Sequence, residues 1–195
     1  MQQSNKKSQI YWLVLTGILM SITLVLKVIF HFIPIINGYG MELYLIGYIY
    51  GLILIDDNKW KYTFWGITPW LLLVMPPSIV NFWDLLLEYI LSLYIFMPFI
   101  FWSKLTKNKR NTKKSFVIEI LCFSALITTL IFVKLFIHTV AGVLWWTPND
   151  WYGSFIFNLP IYGVTLAIVL PVAIIIYRPI VKMIQSDKTI AQANP

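Results

Sequence analysis

Six apolar runs, at 10–34, 41–55, 62–76, 82–103, 115–146 and 154–177, take up most of this chain, and the segments between them are short. A helix needs about 20 apolar residues to cross the ~30 Å hydrocarbon core of a bilayer. The runs therefore predict an all-α integral membrane protein, a single six-helix domain over residues 1–195. The first run is longer than the ~7–15-residue core of a signal peptide and lacks an Ala-x-Ala end, so it reads as an uncleaved helix. The run 115–146 exceeds one simple span, and its end is expected to form a cap at the membrane surface. Composition agrees: 59% of the 195 residues are apolar, 12% are charged and the mean hydropathy is +0.76, whereas a soluble domain carries roughly 25% charged residues. Disorder is excluded by the abundance of aromatic and branched side chains. A disulfide scaffold is excluded because Cys122 is alone.

The net charge of +7 would suit a nucleic acid, but its placement does not. All but Lys27 and Lys134 of the 15 Lys/Arg residues lie in the N-terminal segment, the loops 56–61 and 104–114, and the C-terminal tail. The turns near 35–41, 76–82 and 147–153 hold none. Six helices put the basic segments on one side, and the positive-inside rule makes that side cytosolic, with both termini. The expectation is a multi-pass protein of the cell membrane with no nucleic-acid partner.

Ionisable residues inside spans are costly, so each is a functional hypothesis set against snorkelling or structural pairing. Glu119 and Lys27 lie near helix ends and read as structural or snorkelling, with His31 interfacial. The remainder gather at the side opposite the basic loops. Glu42 opens the second helix. Asp84 and Glu88 lie four residues apart in the fourth, as do Lys134 and His138 in the fifth, so each pair shares a face. Gly142, Trp145 and Trp146 continue the fifth helix, and Trp151, Tyr152 and Asn158 follow. Carboxylates among Trp and Tyr rings suit an organic cation through ion pairing and cation–π contact. The same rings also suit an aromatic belt at the interface. Enzymatic chemistry has little to stand on. No Gly-x-x-x-x-Gly-Lys-Ser/Thr, His-Glu-x-x-His, Cys/His cluster or Gly-x-Ser-x-Gly occurs.

The pattern Leu87-Glu88-Tyr89, Lys134-x-x-x-His138-x-x-x-Gly142-x-x-x-Trp146 and Asn158 resembles the thiamine-specific S-components of energy-coupling-factor vitamin transporters. The likeness is loose over the whole chain and sharpest over roughly 83–163. It implies a substrate-binding subunit that captures thiamine from outside. Such a subunit works with a transmembrane scaffold protein and two ATPases, so this chain would carry no catalysis, no metal and no cofactor of its own. By the same resemblance Glu88 pairs with the thiamine cation, with Tyr89 beside it. His138 and Asn158 hydrogen-bond the pyrimidine, Trp146 stacks on a ring, Lys134 supports the carboxylates and Glu42 is the acid after the first loop. A family Trp four residues before that acid meets Gly38 here, with Tyr39 adjacent. A family Tyr meets Gly153, with Tyr152 adjacent. Gly17-x-x-x-Ser21 resembles the small-residue motif that docks on the scaffold; small residues let helices approach closely. The competing readings are an S-component for another small vitamin, a small membrane enzyme, and a purely structural subunit.

Overall fold

In lipid a chain has no water for its backbone, so apolar runs must close their hydrogen bonds within themselves, as helices. The computed structural model describes residues 2–31, 34–36, 39–74, 80–106 and 113–193, and they are helical almost throughout. Helix α1 (Gln2–His31) leads into a small antiparallel pairing of β1 (Pro34–Ile36) with β2 (Tyr39–Gly40), in which Pro34 faces Gly40. Then come α2 (Tyr44–Leu54) and α3 (Asn58–Leu71), followed by a 3₁₀ turn at Leu72–Val74. The fourth apolar run is broken into α4 (Phe82–Asp84), a π-helical stretch Leu85–Leu91, α5 (Ser92–Tyr94) and α6 (Pro98–Thr106). Helix α7 (Lys113–Ala141) ends in a second π-helical stretch, Gly142–Trp146, and α8 (Trp151–Ala193) closes the chain.

Among the described residues four stretches are long and apolar enough to cross a membrane: Gln9–His31, Phe82–Trp102, Phe116–Trp146 and Trp151–Ile180. The second and third runs form shorter helices than a six-span reading requires. Helix α2 has 11 residues, about 16 Å of rise against a ~30 Å hydrocarbon core. Its reason is internal: it is the core of the bundle, buried at Tyr44, Leu45 and every position from Gly47 to Ile53, so its length answers to its neighbours and not to lipid. Helix α3 has 14 residues and starts on polar ones, capped by Asp57, whose side chain accepts from the Trp60 backbone N–H at 3.1 Å. The cap pulls the start of this helix back into the segment expected to be a loop.

Packing is close where the sequence supplies glycine. A Cβ added at Gly47 would lie 3.1 Å from the Thr23 backbone, and one added at Gly51 would lie 2.1 Å from the Phe64 ring. These two positions let α1 and α3 press against α2. The face of α1 turned away from the bundle is a row of exposed Ile18, Ile22, Val25 and Ile29. Gly17 and Ser21 lie on that exposed side, where the Ser21 hydroxyl donates to the Gly17 carbonyl at 2.8 Å and a Cβ on Gly17 would meet nothing.

Candidate functional site

The C-terminal end of α1, residues Met41 and Glu42 just before α2, the first π-helical stretch, the end of α7 with the second π-helical stretch, and the first turns of α8 enclose a cavity of about 300 Å³. Glu42, Glu88, Tyr89, His138, Trp146 and Asn158 all line it. Residues up to 116 positions apart in the chain thus meet in one place. Lys134 does not reach the wall. It lies beneath, 1% exposed, with its Nζ 3.3 Å from Glu42 Oε1 and donating to Ser92 Oγ at 2.8 Å.

Each polar group is held by a specific neighbour. Glu42 Oε1 also accepts from the Tyr44 hydroxyl at 3.0 Å, and the Glu42 backbone N–H donates to Thr165 Oγ1 at 3.3 Å. His138 Nε2 is 3.3 Å from Lys134 Nζ. An ammonium only donates, so Nε2 must accept, and the ring proton sits on Nδ1. That nitrogen faces Glu88 Oε1 at 3.8 Å. The Asn158 amide donates to the Ser154 carbonyl at 2.9 Å and reaches the His138 carbonyl at 3.5 Å. The Tyr162 ring closes the floor, 5.2 Å from the His138 ring.

The backbone that presents these groups is unusual at two points. Glu88 and Tyr89 sit inside the π-helical stretch Leu85–Leu91, and Trp146 ends the stretch Gly142–Trp146. Single π-helical turns within helices are frequent at functional sites. The first is reached through Asn81, whose side chain accepts from the backbone N–H groups of Trp83 and Asp84 at 2.9 and 3.0 Å. It is steadied by Ser92, whose hydroxyl donates to the Glu88 carbonyl. The second depends on Gly142: a Cβ there would come within 2.1 Å of Ser154 Oγ, which donates to the Thr139 carbonyl at 2.8 Å.

Some expected residues are placed elsewhere. Trp151 is 54% exposed and Tyr152 77% exposed, and neither lines the cavity. They are exposed aromatic side chains, as are Phe82 and Trp83. Gly153 is explained by the local turn. Asn149 adopts a left-handed conformation (φ 67°), and Asp150 Oδ1 accepts from the Gly153 N–H at 2.7 Å. A Cβ on Gly153 would sit 2.1 Å from Asp150 Oδ2, so a larger residue there would displace the Asp150 carboxylate from this turn. Gly38 and the side chain of Tyr39 lie outside the described residues. Conversely, the cavity takes in Lys27, His31 and Tyr162, which sequence reasoning left out or set aside as snorkelling and interfacial. Their signal was present in the spacing: Lys27-x-x-x-His31 repeats Lys134-x-x-x-His138. Among the described residues, no group of three or more His, Cys, Asp or Glu side chains is placed to hold a metal ion.

In comparisons with known proteins, no family model, no curated protein and no solved structure matches the chain.

Proposed function

We propose that this chain is a substrate-binding membrane subunit of an energy-coupling-factor type importer and that its cavity takes thiamine. One observation carries the reading. Glu88 is a carboxylate on the cavity wall with only an imidazole at ion-pair distance among the described residues, while the lysine expected to neutralise it is engaged with Glu42. A carboxylate so placed in a membrane bundle is stabilised by a cationic ligand. Trp146 and Tyr162 offer ring faces to a flat cation, and Asn158 and His138 offer hydrogen bonds to an aminopyrimidine.

In this reading all six apolar runs traverse or enter the cell membrane, both termini are cytosolic and the cavity opens outward. ATP hydrolysis belongs to two partner ATPases, joined through a transmembrane scaffold. The exposed Gly17 and Ser21 on α1 support that contact, since among the described residues nothing lies within 4 Å of a Cβ built at Gly17. The test is a titration of the purified protein with thiamine, followed by its tryptophan fluorescence. Saturable quenching is expected, because Trp146 lines the cavity. No saturable change with thiamine would overturn the reading.

A further inference from the structure

Lys27 is a basic side chain in the cavity wall, and Glu42, on the same wall, is the acid whose charge acts on it. Its Nζ stands 5.0 Å from the centroid of the Tyr44 ring. Among the described residues no carboxylate lies at ion-pair distance from it and no acceptor takes its hydrogen bonds. Glu42 Oε1 is turned to Lys134 at 3.3 Å and to Tyr44 at 3.0 Å, Glu42 Oε2 has no hydrogen-bond partner among the described residues, and Glu88 Oε1 faces His138 at 3.8 Å. An aromatic face replaces only part of the hydration that a compact ammonium gives up. Nor does Lys27 follow the lipid-facing row of α1, which is Ile18, Ile22, Val25 and Ile29. It turns inward to α2, and His31, four residues on, lies on the same face at the cavity.

We propose that Lys27, with His31 beside it, is an anion subsite of this cavity, and that the ligand is a two-ended compound: a cationic ring for Glu88 and a phosphate monoester for Lys27. The inference rests on the reading of the cavity as a thiamine site, and it narrows that reading to the phosphorylated form of the ligand. A strong, charge-assisted pairing of phosphate with ammonium replaces a ring contact, and the neutral hydroxyethyl tail of thiamine supplies no such partner.

Titration calorimetry of the purified full chain with thiamine and with thiamine monophosphate tests it. Wild type is expected to bind the phosphate ester about tenfold more tightly or better, the worth of one hydrogen-bonded charge pair. Lys27→Met should erase that preference, and Lys27→Arg should keep it. Equal or weaker binding of the ester by wild type overturns the subsite, and this arm stands even if Lys27→Met does not fold. A Lys27→Met protein that loses both ligands equally makes Lys27 a structural partner of the cavity wall and also overturns it. If the preference disappears in nanodiscs of anionic phosphatidylglycerol but persists in phosphatidylcholine, the anion at Lys27 is a lipid headgroup, and the ligand assignment falls. Wild type that binds neither compound defeats the thiamine reading itself, whereas binding without discrimination defeats the subsite alone.

Discussion

Glu119 and Glu88 are both withdrawn from solvent in this bundle, and their surroundings are built in opposite ways. Around Glu119 aromatic side chains pack against one another. The Tyr177 hydroxyl donates to Glu119 Oε1, Trp102 Nε1 donates to Tyr177 Oη at 2.9 Å, and Phe123 lies against both rings, 4.5 Å from Tyr177 and 5.4 Å from Trp102 between centroids. Lys61, 1% exposed, gives a hydrogen bond to the Ile100 carbonyl nearby in the same core. Around Glu88, some 28 Å away by the rise of α7 between positions 119 and 138, the same kinds of side chain surround a cavity. Aromatic rings that interdigitate at one end stand apart at the other. A buried carboxylate is therefore not by itself the mark of a site. What distinguishes Glu88 is that its strongest available cation, Lys134, is spent on Glu42, and that a void lies in front of it.

The sharpest way to break this contrast is to exchange the symptoms. Phe123→Ala should destabilise the protein by about 3–5 kcal/mol, read as a lower thermal midpoint in detergent, while the folded fraction keeps its ligand affinity. Lost affinity at unchanged stability would erase the distinction. Glu88→Gln should do the reverse. The fold should survive, and calorimetry should show thiamine binding weakened by about 2–5 kcal/mol, with a neutral deaza-type analogue little affected. Equal losses for both ligands would mean that Glu88 shapes the cavity without reading charge. A smaller effect is expected at the wall between α7 and α8. Gly142→Ala should cost about 1–3 kcal/mol of stability through overpacking against Ser154, and Ser154→Gly should restore most of it. Additive losses in the double variant would place the strain elsewhere. The smallest effect is at the rim. Trp146→Ala should weaken binding by about 0.5–2 kcal/mol, and Trp146→Phe by less. An unaltered affinity in Trp146→Ala would return this residue to the interfacial belt with Trp151.

The sequence announces the bundle more clearly than its inner geometry, for physical reasons that can be assigned to residues. Apolar runs and basic loops report on lipid and on charge, and these decide which stretches are helical. They do not report which helix the others surround. In Leu45–Ile53 every residue is apolar or tyrosine, and such a stretch reads alike whether it faces acyl chains or protein. The same uniformity hid Lys27. Leu26, Val28 and Phe30 flank it, so α1 lacks the polar face that in water would betray a helix's rotation, and a lysine near a helix end reads by default as snorkelling. The site was more legible where helical spacing carried it. His138 and Gly142, four residues apart, line one cavity with Glu88, Trp146 and Asn158, and Lys134, four before His138, lies just beneath it, because residues four apart share a helix face. Tyr162 lay one further turn along the face of Asn158. Trp151 was misplaced because its ring suits a headgroup region as well as a ligand.

The two π-helical stretches, Leu85–Leu91 and Gly142–Trp146, bear on how this chain can be compared with any other. A π turn holds an additional residue within one winding, and one residue is about 100° of rotation in an ordinary helix. The rows of side chains before and after each stretch are therefore out of phase with one another. Two proteins that present the same groups to the same cavity, one with the wide turn and one without, will agree in hydrophobic phase on one side of residues 85–91 or 142–146 and disagree by a single position on the other. Matching such chains requires a one-residue gap inside a helix, where alignment by helical periodicity least expects one.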